Sequence, residues 1–133
     1  VTEEVWRPRY EQINQFERML TLNGVSILKF FLHISKEEQL ERLRERLEDP
    51  AKYWKFNPGD LGEREKWDEY TRAYQDMLSL TSTPDAPWFV VPADNKLPRD
   101  ALVAQVVVEA LERLDPRFPA PPAGLEEFRR RLA

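Results

Sequence analysis

Apolar positions recur along this chain with two different periods, and the changes of period divide it into elements. From Glu3 to Asn23 the residues Trp6, Tyr10, Ile13, Phe16 and Leu20 return close to every 3.6 positions, which predicts a helix stopped by Asn23-Gly24. Val25 to Ile34 (VSILKFFLHI) is almost continuously apolar and rich in branched and aromatic residues. That pattern fits a strand buried on both faces of a parallel sheet. Ser35 with Glu38 forms a capping box, followed by Leu40, Leu43 and Leu47 on one side of a helix. Asp49-Pro50 breaks that helix and an irregular segment follows. Asp60 with Glu63 predicts a second capped helix, whose continuation carries Trp67, Tyr70, Tyr74 and Met77 at helical spacing. Leu80 to Pro87 reads as loop, Trp88 to Val91 as a short buried strand, and Asp94-Asn95-Lys96 as a turn. Pro98 starts a helix to about Leu114 with Leu102, Val106, Ala110 and Leu114 on one side. Residues 116–133 are a proline-rich linker and a short amphipathic helix carrying Leu125, Phe128 and Leu132.

Helix, strand, helix, helix, strand, helix is the alternation of an α/β layer fold with a parallel sheet. Two strands are too few for a stable two-sided sheet, so further strands are expected from residues outside this chain or from another chain. Val1 falls directly in a helical pattern, and the chain is expected to be part of a larger protein.

Composition narrows the chemistry. The 133 residues suit one modest domain, and 41% hydrophobic content supplies a core. The absence of cysteine removes disulfides, thiolate metal sites and cysteine nucleophiles, and fits a reducing cytoplasm. The single histidine, His33, cannot by itself build a histidine metal site and reads as a satisfied strand-end residue. No apolar run approaches the ~20 residues of a membrane helix, and no leader pattern opens the chain. A net charge of −4 argues against general nucleic-acid binding but leaves room for a local phosphate site.

The most informative stretch is Gln39 to Asp60, QLERLRERLEDPAKYWKFNPGD. Gln39, Arg42 and Arg46, spaced i, i+3, i+7, share a stripe beside the buried leucines, with Glu41, Glu45 and Glu48 facing away. Lys52, Trp54 and Lys55 follow the break. Arg42, Arg44, Arg46, Lys52 and Lys55 give five cations against three anions (Glu45, Glu48, Asp49) between residues 42 and 55. Read on residues alone this is a solvated charged helix; cations on a helix end and the loop after it can equally close over phosphates. Trp54 is read either as a base-stacking group or as an anchor of its loop. Trp67, Tyr70, Tyr74 and Trp88 read as core, and Glu17 as a buried ion-pair partner. Asp94, Lys96 and Arg99 stand equally as a helix-start turn or as nucleotide contacts.

Several motifs in register resemble the C-terminal half of the family-2 polyphosphate kinases. Ile13, Phe16-Glu17, Leu20 and Gly24 match the helix entering that half. Gln39, Arg42, Arg46, Asp49-Pro50, Lys52, Trp54-Lys55 and Asp60 match the family's lid. Trp67, Tyr70, Ala73, Met77, Thr81 and Thr83 match the helix after it, and Pro87-Trp88, Asp94, Lys96 and Arg99 the last strand and turn. The resemblance implies a thymidylate-kinase-like, P-loop three-layer α/β fold. Residues 1–115 would be the second half of the kinase core, with the lid at about 36–66. It implies phosphoryl transfer between inorganic polyphosphate and AMP, ADP or ATP in a homo-oligomeric enzyme. Arg42 and Arg46 would be catalytic, Lys52 and Lys55 would bind phosphate, and Asp94, Lys96 and Arg99 would approach the nucleotide. Magnesium is implied too, with its ligands expected upstream. No GxxxxGK[ST] loop is present; Gly24, Gly59, Gly62 and Gly124 are the only glycines, and none opens such a loop. Two alternatives remain: a non-catalytic polyanion-binding or scaffolding fragment, and an ATP-dependent nucleoside-monophosphate kinase.

Overall fold

The computed structural model describes residues 2–132. Its order is α1 (Glu3–Trp6), α2 (Arg9–Leu22), β1 (Lys29–His33), α3 (Lys36–Glu48), a 3₁₀ helix (Pro50–Lys55), α4 (Gly59–Glu65), α5 (Trp67–Thr81), β2 (Trp88–Pro92), α6 (Lys96–Leu114) and α7 (Leu125–Leu132). The expected first helix is two helices. Pro8 has no N–H and its ring obstructs the preceding turn, so the chain restarts there and Gln12 N–H donates to the Pro8 carbonyl. The stop at Asn23-Gly24 is a Schellman motif: Gly24 N–H donates to Thr21 O and Val25 N–H to Leu20 O, with Gly24 at φ 83°.

β1 and β2 pair in parallel, Lys29 opposite Trp88 through His33 opposite Pro92. β1 is shorter than the apolar run, because residues 25–28 form no strand. The Phe30 and Phe89 rings stack across the ladder at 5.4 Å, and Phe31 meets Tyr74 of α5 at 4.9 Å. α2 and α5 pack together over the face carrying Lys29 and Phe31. Lys29 Nζ donates to Glu17 Oε2 at 2.7 Å and to the Thr81 carbonyl at 2.6 Å, and sits 5.1 Å from the Trp88 ring centroid. Trp88 Nε1 donates to Thr81 Oγ1. The readings of Glu17 as a buried ion-pair partner and of Trp88 as structural both hold.

Burial departs from the sequence pattern in one consistent way. α2 turns Asn14 and Glu17 inward, the former donating to the Leu80 carbonyl, and leaves Ile13, Phe16 and Met19 exposed. Leu32 of β1 is 46% exposed and Val90 of β2 is 56% exposed, so neither strand is covered on both faces. Tyr70 and Tyr74, expected in the core, are each 43% exposed. In α6 it is Val103, Val106, Val107 and Ala110 that turn inward, while Leu102 and Leu114 are exposed. Leu43 is buried in α3, whereas Leu47 is exposed at its end. These apolar side chains are left without cover by the described residues.

Candidate functional site

Parallel strands deliver their chain ends to one edge, and here that edge gathers the charged groups. Past β1, Ser35 caps α3 by accepting from Glu38 N–H at 3.1 Å. Only half of the expected capping box forms, because Glu38 turns outward to take Arg42 Nε at 2.7 Å. Past β2, Ala93 N–H donates to the His33 carbonyl, and Asp94 Oδ1 accepts Ser35 N–H at 2.7 Å. That bond holds the Asp94 carboxyl below the usual carboxylate range, with Arg42 and His33 adding to the pull. Asn95 then caps α6 by accepting from Leu97 N–H.

Arg42 adds to this link from further along α3. Its Nη2 donates to the Ala93 carbonyl at 2.7 Å and to the Asp94 carbonyl at 3.4 Å. Ser35 and Arg42 thus both donate across from α3 to Ala93 and Asp94, clamping α3 to the end of β2. Nη1 of Arg42 has no hydrogen bond among the described residues.

The remaining candidate cations lie further along α3 and after its break. Asp49 caps the 3₁₀ helix by accepting from Ala51 N–H, and that helix folds back against α3. The folding brings Lys52 Nζ to Glu45 Oε2 at 3.1 Å and Asp49 Oδ2 at 3.4 Å. Glu45, expected to face away, instead points into the cation group. Its carboxyl is held below the ordinary range, first by the hydrogen bond and charge of Lys52 and then by Lys96 and Arg42, and the Lys52 ammonium is raised in return. Arg46 Nη1 pairs with Asp60 Oδ2 at 3.0 Å and reaches the Lys55 carbonyl at 3.4 Å. Asp60 therefore does not cap α4. Pro58 stands at that position, and Asn57 accepts from Gly59 N–H instead.

Lys55 Nζ lies 5.0 Å from the centroid of the Trp54 ring, and Trp54 is exposed, its indole N–H bonded within its own turn to Ala51 O. Trp54 anchors no core. Arg99 pairs with its neighbour Asp100. Lys55 and Lys96 are the candidate cations without a carboxylate partner among the described residues. Sequence reasoning missed Arg64, which donates to the Lys36 carbonyl and to Gln39 Oε1, tying α4 back to α3.

A cleft of about 600 Å³ opens beside this edge, walled by Phe31, His33, Trp67, Tyr70 and Tyr74 with Gln39 at its polar end. Glu63 borders it and accepts the Tyr70 hydroxyl; that bond lowers the Glu63 carboxyl and raises the Tyr70 phenol. A shallower hollow among Thr2, Glu3, Glu4, Arg7 and Pro8 brings no converging functional groups together. No group of three or more His, Asp or Glu side chains among the described residues is placed to hold a metal ion. No helix among them is long and apolar enough to cross a membrane.

A parallel α/β layer with its charged side chains collected past the carboxyl ends of the strands defines a class: α/β proteins that take ligands at that edge. The Polyphosphate kinase 2 (PPK2) family pattern matches residues 1–119, and the chain belongs to that family. It is 50% identical over 128 residues to an AMP/ADP-polyphosphate phosphotransferase of Meiothermus ruber, covering 96% of this chain and 48% of that protein. It is 46% identical over 114 residues to an ADP-polyphosphate phosphotransferase of Rhodopseudomonas palustris, covering 86% of this chain and 39% of that one. The crystal structure of polyphosphate kinase 2 from Arthrobacter aurescens TC1 superposes with a TM-score of 0.89 at 41% identity, over 99% of this chain and 47% of that chain. The chain spans about half the length, or less, of these relatives.

Proposed function

We propose that this chain supplies the second half and the mobile lid of a polyphosphate:nucleotide phosphotransferase, acting between inorganic polyphosphate and nucleoside mono- or diphosphates. The observation that carries the reading is that Arg42 bonds the backbone just past the carboxyl end of β2, with Arg46 and Lys52 further along the same helix and its return. Phosphoryl transfer needs positioning and charge neutralisation more than covalent chemistry from the protein. Arg46 and the free Nη1 of Arg42 would neutralise charge on the transferred phosphoryl, and Lys52 and Lys55 would follow the polymer. Asp94, Lys96 and Arg99 would border the nucleotide, Asp94 while keeping its bond from Ser35 N–H. Closure of α3, the 3₁₀ helix and α4 would exclude water and strengthen each of these contacts.

The remainder of a thymidylate-kinase-like, P-loop fold would pack where Ile13, Phe16, Leu32, Tyr70, Tyr74 and Val90 are exposed. Phosphate-cradling and magnesium-binding groups belong to that remainder. Magnesium would neutralise phosphate charge there.

The test is to incubate the isolated 133-residue chain, and separately the protein containing the remainder, with polyphosphate, ADP or AMP and magnesium, following nucleotides by chromatography. The longer protein is expected to turn over and the isolated chain is not. Turnover by the isolated chain on the order of 1 per second, typical of kinases, would refute the division of labour. A longer protein that binds polyphosphate and transfers nothing would favour the scaffold.

A further inference from the structure

We propose that α7 of one copy docks on the outer face of α6 of a second copy, and that the exchange is reciprocal. The surface lies apart from the cation-bearing segment, and α7 lies wholly beyond residue 119, where the family pattern ends.

α6 carries a second apolar face besides the one that turns inward. Leu97, Ala101, Ala104, Val108 and Leu111 follow one another at alternating spacings of four and three, the a/d repeat of a helix–helix seam. At the helical pitch this seam stands about 130° round α6 from Val103, Val106, Val107 and Ala110, so it faces away from the body that α6 covers. All five seam residues are exposed, Val108 and Leu111 by half or more. α7 repeats the pattern in Leu125, Phe128 and Leu132, with Phe128 and Leu132 exposed.

The two seams fit in one register. With the helices parallel and Leu125 set on Ala101, Phe128 falls on Ala104 and Leu132 on Val108. The two alanines leave a notch between Leu97 and Val108 that takes the Phe128 ring. That same register brings the flanking charges together: Arg131 falls opposite Glu112 and Arg129 opposite Asp100, the relation by which parallel seams select partner and direction. Arg131 and Glu112 have no partner of opposite charge among the described residues, and Arg129 and Asp100 have only close neighbours on their own helices, Glu126 and Arg99. The two faces are bare in one and the same chain. α6 ends at Asp115 in the left-handed region (φ 41°), and residues 115–124 carry Pro116, Pro119, Pro121 and Pro122. For α7 to lie parallel on its own α6, this stiff linker would have to double back along most of that helix. A second copy presents α6 without that reversal, and two copies that each offer both faces close as a two-fold pair.

The experiment is a disulfide crosslink in the longer protein that contains this chain. The chain has no cysteine, so Val108→Cys with Leu132→Cys, and any cysteine of the remainder changed to serine, supply the only two thiols. Both positions are exposed, and melting temperature checks that each variant is folded. Mild oxidation is expected to give a covalent dimer on a denaturing gel, which neither single cysteine gives. Adding Phe128→Glu should slow the link at least about tenfold, the loss expected for an aromatic anchor of an interface. Adding Arg131→Glu should slow it about three- to tenfold, and Glu112→Arg on top of that should restore it. A link within one chain, seen as a monomer of altered mobility, overturns the exchange. No link, or one that forms as fast with Phe128→Glu, overturns the docking itself. Failure of Glu112→Arg to restore the rate overturns the register and the proposal with it.

Discussion

The Lys29–Glu17 pair offers the sharpest quantitative test of the fold. Both side chains are nearly out of water, 9% and 13% exposed, and Lys29 Nζ has two short acceptors together with the Trp88 face. Lys29→Met keeps the length of the stem and removes the ammonium. Glu17 is then a buried carboxylate without its cation, and the Thr81 carbonyl loses a donor. Breaking one partner of a buried pair costs ~3–5 kcal/mol, whereas replacing both partners with apolar groups of similar size is often neutral. The structure thus predicts an asymmetry: Lys29→Met alone severely destabilising, and Glu17→Leu with Lys29→Met recovering most of the loss. With a urea dependence of ~1–3 kcal/mol per molar, a loss of ~3–5 kcal/mol should lower the unfolding midpoint by roughly 1–5 M. Urea unfolding followed by far-ultraviolet circular dichroism measures both variants. A single mutant within ~0.5 kcal/mol of the unmodified protein, the range of an ordinary surface substitution, would show that the pair is not closed in the folded protein. A double mutant as unstable as the single one would show that packing around the stems, not the orphaned charge, carries the cost.

Two further outcomes follow from the proposed function, read in the longer protein that contains this chain. Arg46→Ala should lower turnover by ~10²–10³, the usual loss for one charge-stabilising donor, while its half-exposed pair with Asp60 costs ~1 kcal/mol of stability or less; steady-state kinetics beside a melting curve separate the two, and near-normal turnover refutes the role. Lys52→Ala with Lys55→Ala should raise KM for polyphosphate more than it lowers kcat, and should flatten the dependence of binding on salt by up to ~0.7–0.9 per lost contact; parallel salt lines would mean these lysines never meet the polymer.

What could be read from the sequence was what the chain settles locally. Asn23-Gly24, Ser35 before Glu38 and Asp49-Pro50 each act through the backbone within a few residues, and each ends or starts a helix as expected. Pro8 was equally local and overrode an otherwise regular apolar period. Burial was less legible, because it depends on what lies opposite. The spacing of Tyr70 and Tyr74 identifies a helix face but says nothing of its cover, and Ile13 and Phe16 form a stripe that this chain does not bury. The site was legible as a set of cations but not as a set of contacts. Helical spacing puts Glu45 away from the leucines, yet its environment is fixed by Lys52, which arrives only because the chain turns back at Pro50. The bond from Arg64 to Gln39 spans 25 residues and leaves no local signal.

The contacts also divide the cation-bearing segment into a firm part and a loose one. Near the sheet, α3 is fixed to the segment after β2 by two bonds of 2.7 Å, both donated from the α3 side: Arg42 Nη2 to Ala93 O, and Ser35 N–H to Asp94 Oδ1. Both involve backbone groups of elements that are themselves packed, so the start of α3 moves only with β2. Beyond Leu43 the ties are half-exposed side-chain pairs, Lys52 to Glu45 and Arg46 to Asp60, and Arg64 alone reaches back from α4 to Lys36 O and Gln39 on the firm part, bonds that opening would have to break. Each such tie is individually weak, and local opening takes place where buried contacts are few. If this segment closes over phosphates, the hinge belongs between Leu43 and Arg46, and Arg42 stays on the sheet side of it. Arg42 would then meet a phosphate as a fixed group and Arg46, Lys52 and Lys55 as arriving ones, which is why the same charge at these four positions should not have the same effect on rate and affinity.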